Sequence, residues 1–503
     1  MPDQPAKRIL ALPVDGRPVT REQVQLLAEV AGCELSCPAV EELGYFREPA
    51  SRDHLAAWVS ERAEAADGFI FSIDMLVYGG LVPSRFIDDS ESSLLERLEL
   101  LKQLKRGYPD RPLYAFCATM RLSNNNENEE EKLYWADYGE LIWRWSYHSD
   151  RFDCLGNSED RNWAEMARAM IPEQIRQDYL TTRARNFAVT CRVLELVEAG
   201  VIDRLILPQD DTAEYGFNIA ERRKLQAMVD KRGLGERVLI YPGADEVIYT
   251  LLVHQLQHLG VIPPLKVALH PHQPDVIQTM VARYEDRTLL ESIHCQIAAA
   301  GAALVPNTVA ADAVIAVHTS GSQQGDWAME QPLPDPVAAD SDWLSSLKKN
   351  DKPLALLDLA YANGGDPQLI QALPRPLRSL TAYAGWNTAS NSIGSLVAQL
   401  CVAVNGGSTE NNRHLLAIRL LDDFLYQADF RQRLRRQVPE AAADPDRLLA
   451  TLETLYLEEA REWLQEQGFD DIQVDSLYLP WRRSFEIGLR TRIGSSCEAE
   501  VNA

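Results

Sequence analysis

The stretch RLILPQDDTAEYG, residues 204–216, joins an apolar strand directly to two adjacent carboxylates. Its first six residues are mostly aliphatic, which is typical of a strand covered on both faces of a parallel sheet. Asp210 and Asp211 follow at once, and like charges this close repel each other unless their surroundings compensate. The stretch therefore predicts a strand that ends in a solvated turn or helix cap, a metal site, or a catalytic pair.

Other segments along the chain share the continuous apolar character of residues 204–209. They alternate with longer amphipathic or alanine-rich segments, and repeated β-α units of this kind predict a parallel α/β sheet. The predicted strands are RILALP (8–13), GFIFSID (68–74), PLYAFCA (112–118), RLILPQ (204–209), RVLIYPG (237–243), LKVALH (265–270), AVIAVH (313–318), LALLDLA (354–360) and LTAYAG (380–385).

These strands predict a TIM-like (β/α)8 barrel over residues 1–404, with insertions that account for one strand too many. Residues 265–320 form either part of this barrel or a small α/β unit of their own. Long amphipathic patterns without a strand signal follow, so we expect a helical C-terminal region over residues 405–503.

The overall composition limits the compartment and the partners. The 503 residues include 50 Lys and Arg against 74 Asp and Glu, a formal net charge of −24. Such an acidic surface repels phosphate backbones, so we expect no nucleic-acid partner. The sequence shows neither a secretion signal nor an apolar run long enough for a membrane span, and its eight cysteines are scattered. We therefore expect a cytoplasmic protein without a membrane partner that binds a small molecule, and a homo-oligomer stays open.

Polar side chains accumulate after the predicted strands, at the edge where parallel α/β folds place their active sites. They include Asp15, Arg17, Asp74, Arg121, Asn124, Asp210, Asp211, Asp245, Glu246, Asp358, Asn363, Trp386, Asn387, Ser390 and Asn391. Any one of them can serve as a turn former or helix cap. Together, carboxylates, amides, arginine and tryptophan favour a shared pocket that suits a sugar. Neither phosphate-binding glycine motif occurs, so no nucleotide site and no cofactor are predicted.

Three interpretations of the aspartate pair stay open on this basis. A capping box in DTAE would explain only one of the two carboxylates. A hard divalent cation would draw on Asp15, Asp74, Asp210, Asp211 and Asp245. A catalytic pair of neighbouring residues rarely straddles a sugar ring as ordinary two-carboxylate glycosidases require, but it suits catalysis in which the 2-acetamido oxygen of the substrate is the nucleophile.

Four motifs, LALPVDGRPVTR, LPQDDTAEYGFN, YPGADE and GWNTASNSIG, together resemble a bacterial family catalogued as a domain of unknown function. The resemblance implies a TIM-like barrel related to β-N-acetylgalactosaminidases and β-N-acetylhexosaminidases. Related retaining β-N-acetylglucosaminidases place an Asp–Asp pair after barrel strand four, which is the position of RLILPQ here. The resemblance implies that Asp210 polarises the acetamido group and that Asp211 is the general acid and base.

We therefore expect a metal-free and cofactor-free glycosidase of carbohydrate metabolism that removes β-linked N-acetylhexosamine with retention, GalNAc in preference to GlcNAc. Its substrate would be a small glycoside or oligosaccharide. The expected substrate contacts are Asp15, Arg17, Asp74, Asp245, Glu246, Trp386, Asn387 and Asn391. The alternatives are a divalent-metal-dependent hydrolase that uses the aspartate cluster, and a non-catalytic sugar-binding protein.

Overall fold

The computed structural model describes residues 6–373, 376–439 and 444–494. The described strands are β1 (Arg8–Leu12), β2 (Glu34–Ser36), β3 (Gly68–Ser72), β4 (Leu113–Phe116), β5 (Arg204–Gln209), β6 (Val238–Pro242), β7 (Lys266–Pro271), β8 (Ala303–Leu304), β9 (Ala313–His318), β10 (Gly325–Asp326), β11 (Leu354–Asp358), β12 (Tyr361–Ala362), β13 (Ala382–Ala384), β14 (Ile472–Tyr478) and β15 (Gly488–Ile493).

The helices are more numerous than the strands and lie mostly between them along the chain. The α-helices are Glu22–Val30, Arg52–Arg62, Ile73–Tyr78, Glu91–Arg97, Glu99–Gly107, Trp135–Leu155, Ser158–Met170, Glu173–Glu198, Phe217–Lys231, Val247–His258, Pro274–Thr279, Leu289–Ala299, Ser341–Lys349, Pro367–Ala372, Ala389–Val404, Thr409–Arg419, Arg431–Gln437, Pro445–Thr451 and Leu457–Glu466. Two π-helical segments, Leu420–Phe430 and Leu452–Tyr456, continue α-helices in the last hundred residues. Across the described ranges, no helix combines the length and the apolar character needed to cross a bilayer.

The first of two compact units comprises Met1–Gly16, Cys33–Gln255 and Tyr284–Arg287. It contains a parallel sheet with the strand order β2-β1-β3-β4-β5-β6. Every residue of β3 and β4 is buried, as expected for a sheet covered on both faces. Ser72 pairs with Phe116, and Phe116 pairs with Ile206, so the residues that follow β3, β4 and β5 come to the same carboxyl edge.

The second unit comprises Arg17–Gly32, Leu256–Arg283 and Thr288–Ala503. Its main sheet is also parallel, with the order β13-β11-β9-β7-β8. Strands β10 and β12 form a small parallel pair, and β14 and β15 form an antiparallel pair. The apolar core of this unit joins the sheet to the C-terminal helices.

All nine predicted strands are present, and a mixed α/β fold with parallel sheets is confirmed. The described pairings form two parallel sheets, and a closed (β/α)8 barrel stays a prediction. Residues 265–320 do not form a sheet of their own, since β7, β8 and β9 share one sheet with β11 and β13.

The C-terminal part differs from its prediction in one respect. Helices do occupy most of residues 409–466, but β14 and β15 follow them, so the expectation of helix alone was wrong for this part of the chain. The two compact units also do not divide at residue 404, where the sequence placed a boundary. The end of the predicted helical region, residues 495–503 with Cys497, lies outside the described residues.

Candidate functional site

The aspartate pair lies on the loop that leaves β5 at the carboxyl edge of the first sheet. Asp211 has a backbone φ of 41°, in the left-handed region that few residues other than glycine adopt. Asp and Asn tolerate this conformation better than most residues because their short polar side chains can hydrogen-bond locally. The loop is held further along, where the Thr212 amide donates to the Tyr284 carbonyl over 3.0 Å.

The helix that follows the pair begins at Phe217, several residues after Asp211. Its first amides are satisfied from another helix: the Gly216 amide donates to Asp150 Oδ2 over 2.9 Å, and the Phe217 amide donates to Ser146 Oγ over 2.7 Å. The capping interpretation of the aspartate pair is therefore wrong, because the helix start is capped by other side chains.

Each aspartate of the pair contacts its own arginine. Arg85 Nη2 donates to Asp210 Oδ2 over 3.1 Å, and Arg121 Nη1 lies 3.3 Å from Asp211 Oδ2. Glu131 joins the two arginines, because its Oε1 accepts from Arg85 Nη1 over 3.2 Å and from Arg121 Nε over 2.9 Å. The result is a continuous chain of ion pairs from one aspartate to the other.

A further carboxylate adds negative charge to this network. Glu130 Oε2 lies 3.1 Å from Arg121 Nη2, and the Glu130 carbonyl accepts from Arg85 Nη1 over 2.8 Å. Two guanidinium groups thus face four carboxylates, an excess of negative charge that favours protonation of at least one of them. The Arg85 and Glu131 side chains are almost fully buried, so their charges are poorly screened by water.

The arginines are positioned by the segments that follow β3 and β4. Arg85 ends the short 3₁₀ turn Pro83–Arg85, which comes soon after the helix Ile73–Tyr78. Arg121 follows β4, and this segment is held by Arg183 Nη1, which donates to the Met120 carbonyl over 3.0 Å.

Asp74 is a third aspartate close enough to interact electrostatically with the pair. It lies in the first turn of the helix Ile73–Tyr78, and its Oδ2 accepts from the Ala118 amide over 2.9 Å. Burial raises the pKa of Asp74 to about 7; the Ala118 hydrogen bond and the Arg85 charge oppose this rise, and the charge of Asp210 adds to it. The structure therefore brings Asp74, Asp210 and Asp211 together, as the sequence predicted.

Burial, followed by the negative charge of Asp210, also raises the pKa of Asp211 well above the usual range for a carboxyl group. Arg121 opposes this rise without cancelling it, and Glu130 adds to it. The Asp210 and Asp211 side chains retain 16% and 23% of their exposure. Both are therefore accessible to a ligand at the edge of the sheet.

The other predicted contacts of the first unit are buried at the ends of their strands. Asp15 follows β1, and Asp245 and Glu246 follow β6. Each retains less than a tenth of its exposure.

Four predicted contacts belong to the second unit. Arg17 lies over the Trp481 ring, 4.8 Å from its centroid. Trp386 is buried, and its ring centroid is 5.8 Å from that of Phe485. Asn387 has a φ of 69°, and Asn391 Nδ2 donates to Thr388 Oγ1 over 3.0 Å. These contacts show what holds the four residues within their own unit, and their role toward a sugar stays a prediction.

The donor set of the metal-site alternative is not assembled in the described part of the chain. Among residues 6–373, 376–439 and 444–494, no three His, Cys, Asp or Glu side chains are grouped so that they could hold a metal ion. The five aspartates of that alternative therefore do not form a ligand set there.

Sequence reasoning missed Arg85, Glu130 and Glu131. The two glutamates belong to SNNNENEEEK (123–132), which has the composition of a solvated polar tract. Glu131 is instead buried. The useful signal was the position of this acidic run immediately after Arg121, since a buried arginine needs carboxylate partners.

Comparison of the sequence with known protein families finds a match that covers most of the chain. A family model described as "Protein of unknown function (DUF4127)" matches residues 9–490. None of the curated proteins searched matches the chain.

Proposed function

The chain belongs to this family, and from the geometry around Asp210 and Asp211 we propose that it is a retaining glycoside hydrolase. It would remove β-linked N-acetylhexosamine, GalNAc in preference to GlcNAc, by substrate-assisted catalysis. The observation that carries the proposal is a pair of adjacent carboxylates, each held by its own arginine, of which Asp211 has a raised pKa. Adjacent carboxylates with different environments suit a substrate that supplies its own nucleophile.

In this mechanism Asp210 accepts the hydrogen bond of the acetamido N–H. Its ion pair with Arg85 holds the carboxylate in place, because the Arg85 side chain is buried and bonded to two further acceptors. The polarised acetamido oxygen attacks the anomeric carbon while the bond from that carbon to the leaving oxygen breaks. The orientation of the acetamido group accounts for part of the rate, since a well-positioned nucleophile avoids an entropic cost.

Asp211 supplies and recovers the proton. Its protonated form donates to the leaving oxygen as the glycosidic bond breaks, which leaves a cyclic oxazolinium intermediate and an ionised Asp211. The carboxylate then takes a proton from water as the water oxygen attacks the anomeric carbon and the acetamido oxygen departs. A raised pKa suits this cycle, because the group must be protonated in one step and ionised in the next.

The closed TIM-like barrel and the sugar contacts of the first unit are part of this proposal. In the first unit, Asp15, Asp245 and Glu246 would accept hydroxyl hydrogen bonds, while the buried Asp74 would act on the pair through its charge. The predicted contacts of the second unit, Arg17, Trp386, Asn387 and Asn391, stay expectations from the sequence and carry no part of this mechanism. The negative charge of the chain and of the network around Arg121 favours an uncharged sugar over an anionic one.

The test is hydrolysis of the para-nitrophenyl β-glycosides of GalNAc and GlcNAc. We expect wild-type protein to hydrolyse at least one of them, and Asp211→Asn to lower kcat/KM for an unactivated glycoside by about 10²–10⁴-fold. Asp110→Asn is the matched control because Asp110 is exposed on a turn of the same unit. Full activity of Asp211→Asn toward the unactivated glycoside would refute the role of Asp211 as general acid.

Asp210→Asn separates the two roles by its pH dependence. The charge of Asp210 raises the pKa of Asp211, so its removal lowers that pKa and moves the alkaline limb of the residual activity to lower pH. An unmoved limb would contradict the assignment. Binding of GalNAc by protein that hydrolyses neither glycoside would instead favour the non-catalytic sugar-binding alternative.

A further inference from the structure

The helix Trp135–Leu155 carries aromatic side chains on more than one face. Trp135 and Trp145 are buried in an apolar cluster with the neighbouring helices. Trp143 and Tyr147 are only partly buried, yet their rings stack with centroids 4.9 Å apart and an interplanar angle of 21°. Trp143 packs against the edge of the same cluster, and with Tyr147 it forms a second aromatic face that is partly exposed.

This second face extends into a cluster of five rings, which we call the aromatic strip: Trp143, Tyr147, His148, Trp163 and Tyr215. The Tyr147 ring meets the Tyr215 ring edge-on, with centroids 5.7 Å apart. His148 lies between Tyr147 and Trp163, which is 47% exposed. The strip is therefore a connected and partly exposed aromatic surface.

The strip is fixed in orientation by polar contacts. The Nδ1 atom of His148 lies 2.8 Å from Asp160 Oδ1, which joins the helices Trp135–Leu155 and Ser158–Met170. Arg151 lies over the Tyr215 ring, 5.9 Å from its centroid, and brings hydrogen-bond donors to the edge of the strip. Trp143, Tyr147 and Arg151 are spaced four residues apart, so this face is about 12 Å long at 1.5 Å per residue.

The strip is continuous with the loop that carries the aspartate pair. Tyr215 is four residues after Asp211, so their Cα atoms are at most about 14 Å apart. The same loop is bound to the strip's own helix, because the Gly216 amide donates to Asp150. The pair and the strip are therefore joined by a short segment of one loop that is itself bonded to the helix of the strip.

The chemistry of the surface identifies the ligand class. Stacked aromatic faces flanked by hydrogen-bond donors accept the apolar faces of pyranose rings and also nucleic-acid bases. Asp and Glu outnumber Arg on the two helices of the strip, and the chain has a net charge of −24, so a polyanion is disfavoured. An uncharged oligosaccharide can stack on the aromatic faces and is not repelled by the negative charge.

We infer that the aromatic strip binds the sugars that follow the cleaved residue, so that the substrate is an uncharged oligosaccharide rather than a simple glycoside. This inference rests on the proposed function for the position of the terminal sugar. The aromatic strip binds the part of the oligosaccharide that departs as the leaving group, and it takes no part in the chemical step.

The experiment compares two substrates with the same terminal β-linked GalNAc, its para-nitrophenyl glycoside and an uncharged trisaccharide. We expect the double variant Trp143→Ala, Tyr147→Ala to lower kcat/KM for the trisaccharide about tenfold more than for the aryl glycoside. Tyr147→Phe keeps the ring and should retain the preference for the trisaccharide. Met166→Ala is the matched control, since Met166 is exposed on the neighbouring helix outside the strip. An equal effect on both substrates, or no effect on either, would overturn the inference.

A binding measurement with the trisaccharide tests the aromatic strip independently of the proposed hydrolase activity. If wild-type protein hydrolyses neither substrate, the proposed function fails, and calorimetric titration with the same trisaccharide tests the strip alone. Trisaccharide binding that the double variant loses supports the strip, whereas absent or unchanged binding overturns it. Sedimentation velocity adds a last outcome: a dimer of the wild type that the double variant loses would assign the strip to a second copy of the chain and overturn the inference.

Discussion

Replacing Asp74 by Asn should change how the stability of the protein depends on pH. Burial raises the pKa of Asp74 from 3.8 to about 7 in the folded protein. A group with a raised folded pKa contributes its stability below the unfolded pKa, and this contribution is lost as the pH rises through about 7. Wild-type protein therefore loses stability over this range, while Asn, which does not titrate, does not.

The size of the effect follows from the linkage relation. About three pKa units correspond to about 4 kcal/mol of lost stability above neutrality, most of it between about pH 4 and pH 7. Between about pH 5 and pH 8 the free energy of unfolding of Asp74→Asn should rise relative to wild type by ~2–3 kcal/mol. The Asn oxygen can still accept from the Ala118 amide, and any cost of the new amide group is independent of pH.

Urea unfolding followed by tryptophan fluorescence at these two pH values measures the difference. The dependence on urea must have the same slope in both proteins, so that the midpoints report stability. Asp110→Asn, at an exposed carboxylate, should show no pH-dependent difference. A difference between Asp74→Asn and wild type that is the same at both pH values would refute the role of burial at Asp74.

Three further substitutions test the contacts that build the two units. Glu131→Gln replaces the charge-assisted hydrogen bonds that Glu131 accepts from Arg85 and Arg121 by weaker neutral ones, so we expect a loss of about 1–3 kcal/mol of unfolding free energy; an unchanged melting temperature would contradict the network. Gly79→Ala places a Cβ at a φ of 84° and within 2.9 Å of the Ala50 backbone, so we expect a loss of more than about 2 kcal/mol, whereas Gly107→Ala, where an added Cβ meets nothing, should not destabilise. Thr288→Ala removes a capping box shared with Glu291 and should cost about 1 kcal/mol in thermal unfolding, a cost that Thr288→Ser should avoid.

Most of the predicted strands could be found from the sequence because they are buried along most of their length. A mostly apolar run such as LALLD in β11 is typical of a strand that is buried on both faces. The antiparallel pair β14 and β15 gave no such signal, since IQVDSLY and GLRTRI mix buried and exposed positions with several charges. How the strands pair was less accessible, because pairing depends on contacts between residues far apart in the sequence.

Some of the carboxylates of the site could be predicted, because they follow strands that the sequence identifies. Asp74, Asp210 and Asp211 directly follow or overlap predicted strands, and parallel strands place such residues at one edge. Arg85 and Glu131 follow no strand directly, so only the folded chain shows that they meet. The polar tract SNNNENEEEK (123–132) therefore contributes Glu130 and Glu131 to this network although its composition is typical of a solvated segment.

The charge balance of this network bears on which aspartate carries the proton. Two arginines cannot compensate all the carboxylates around them, so the site favours holding a proton. Burial raises the pKa of Asp74 and of Asp211, but Asp74 is only 2% exposed and has its Oδ2 bonded to the backbone. Asp211 retains 23% of its side-chain exposure. Of these two aspartates, Asp211 is therefore the one that a ligand could reach, which supports the proposal that Asp211 is the acid and base and that Asp210, held by Arg85, orients the substrate.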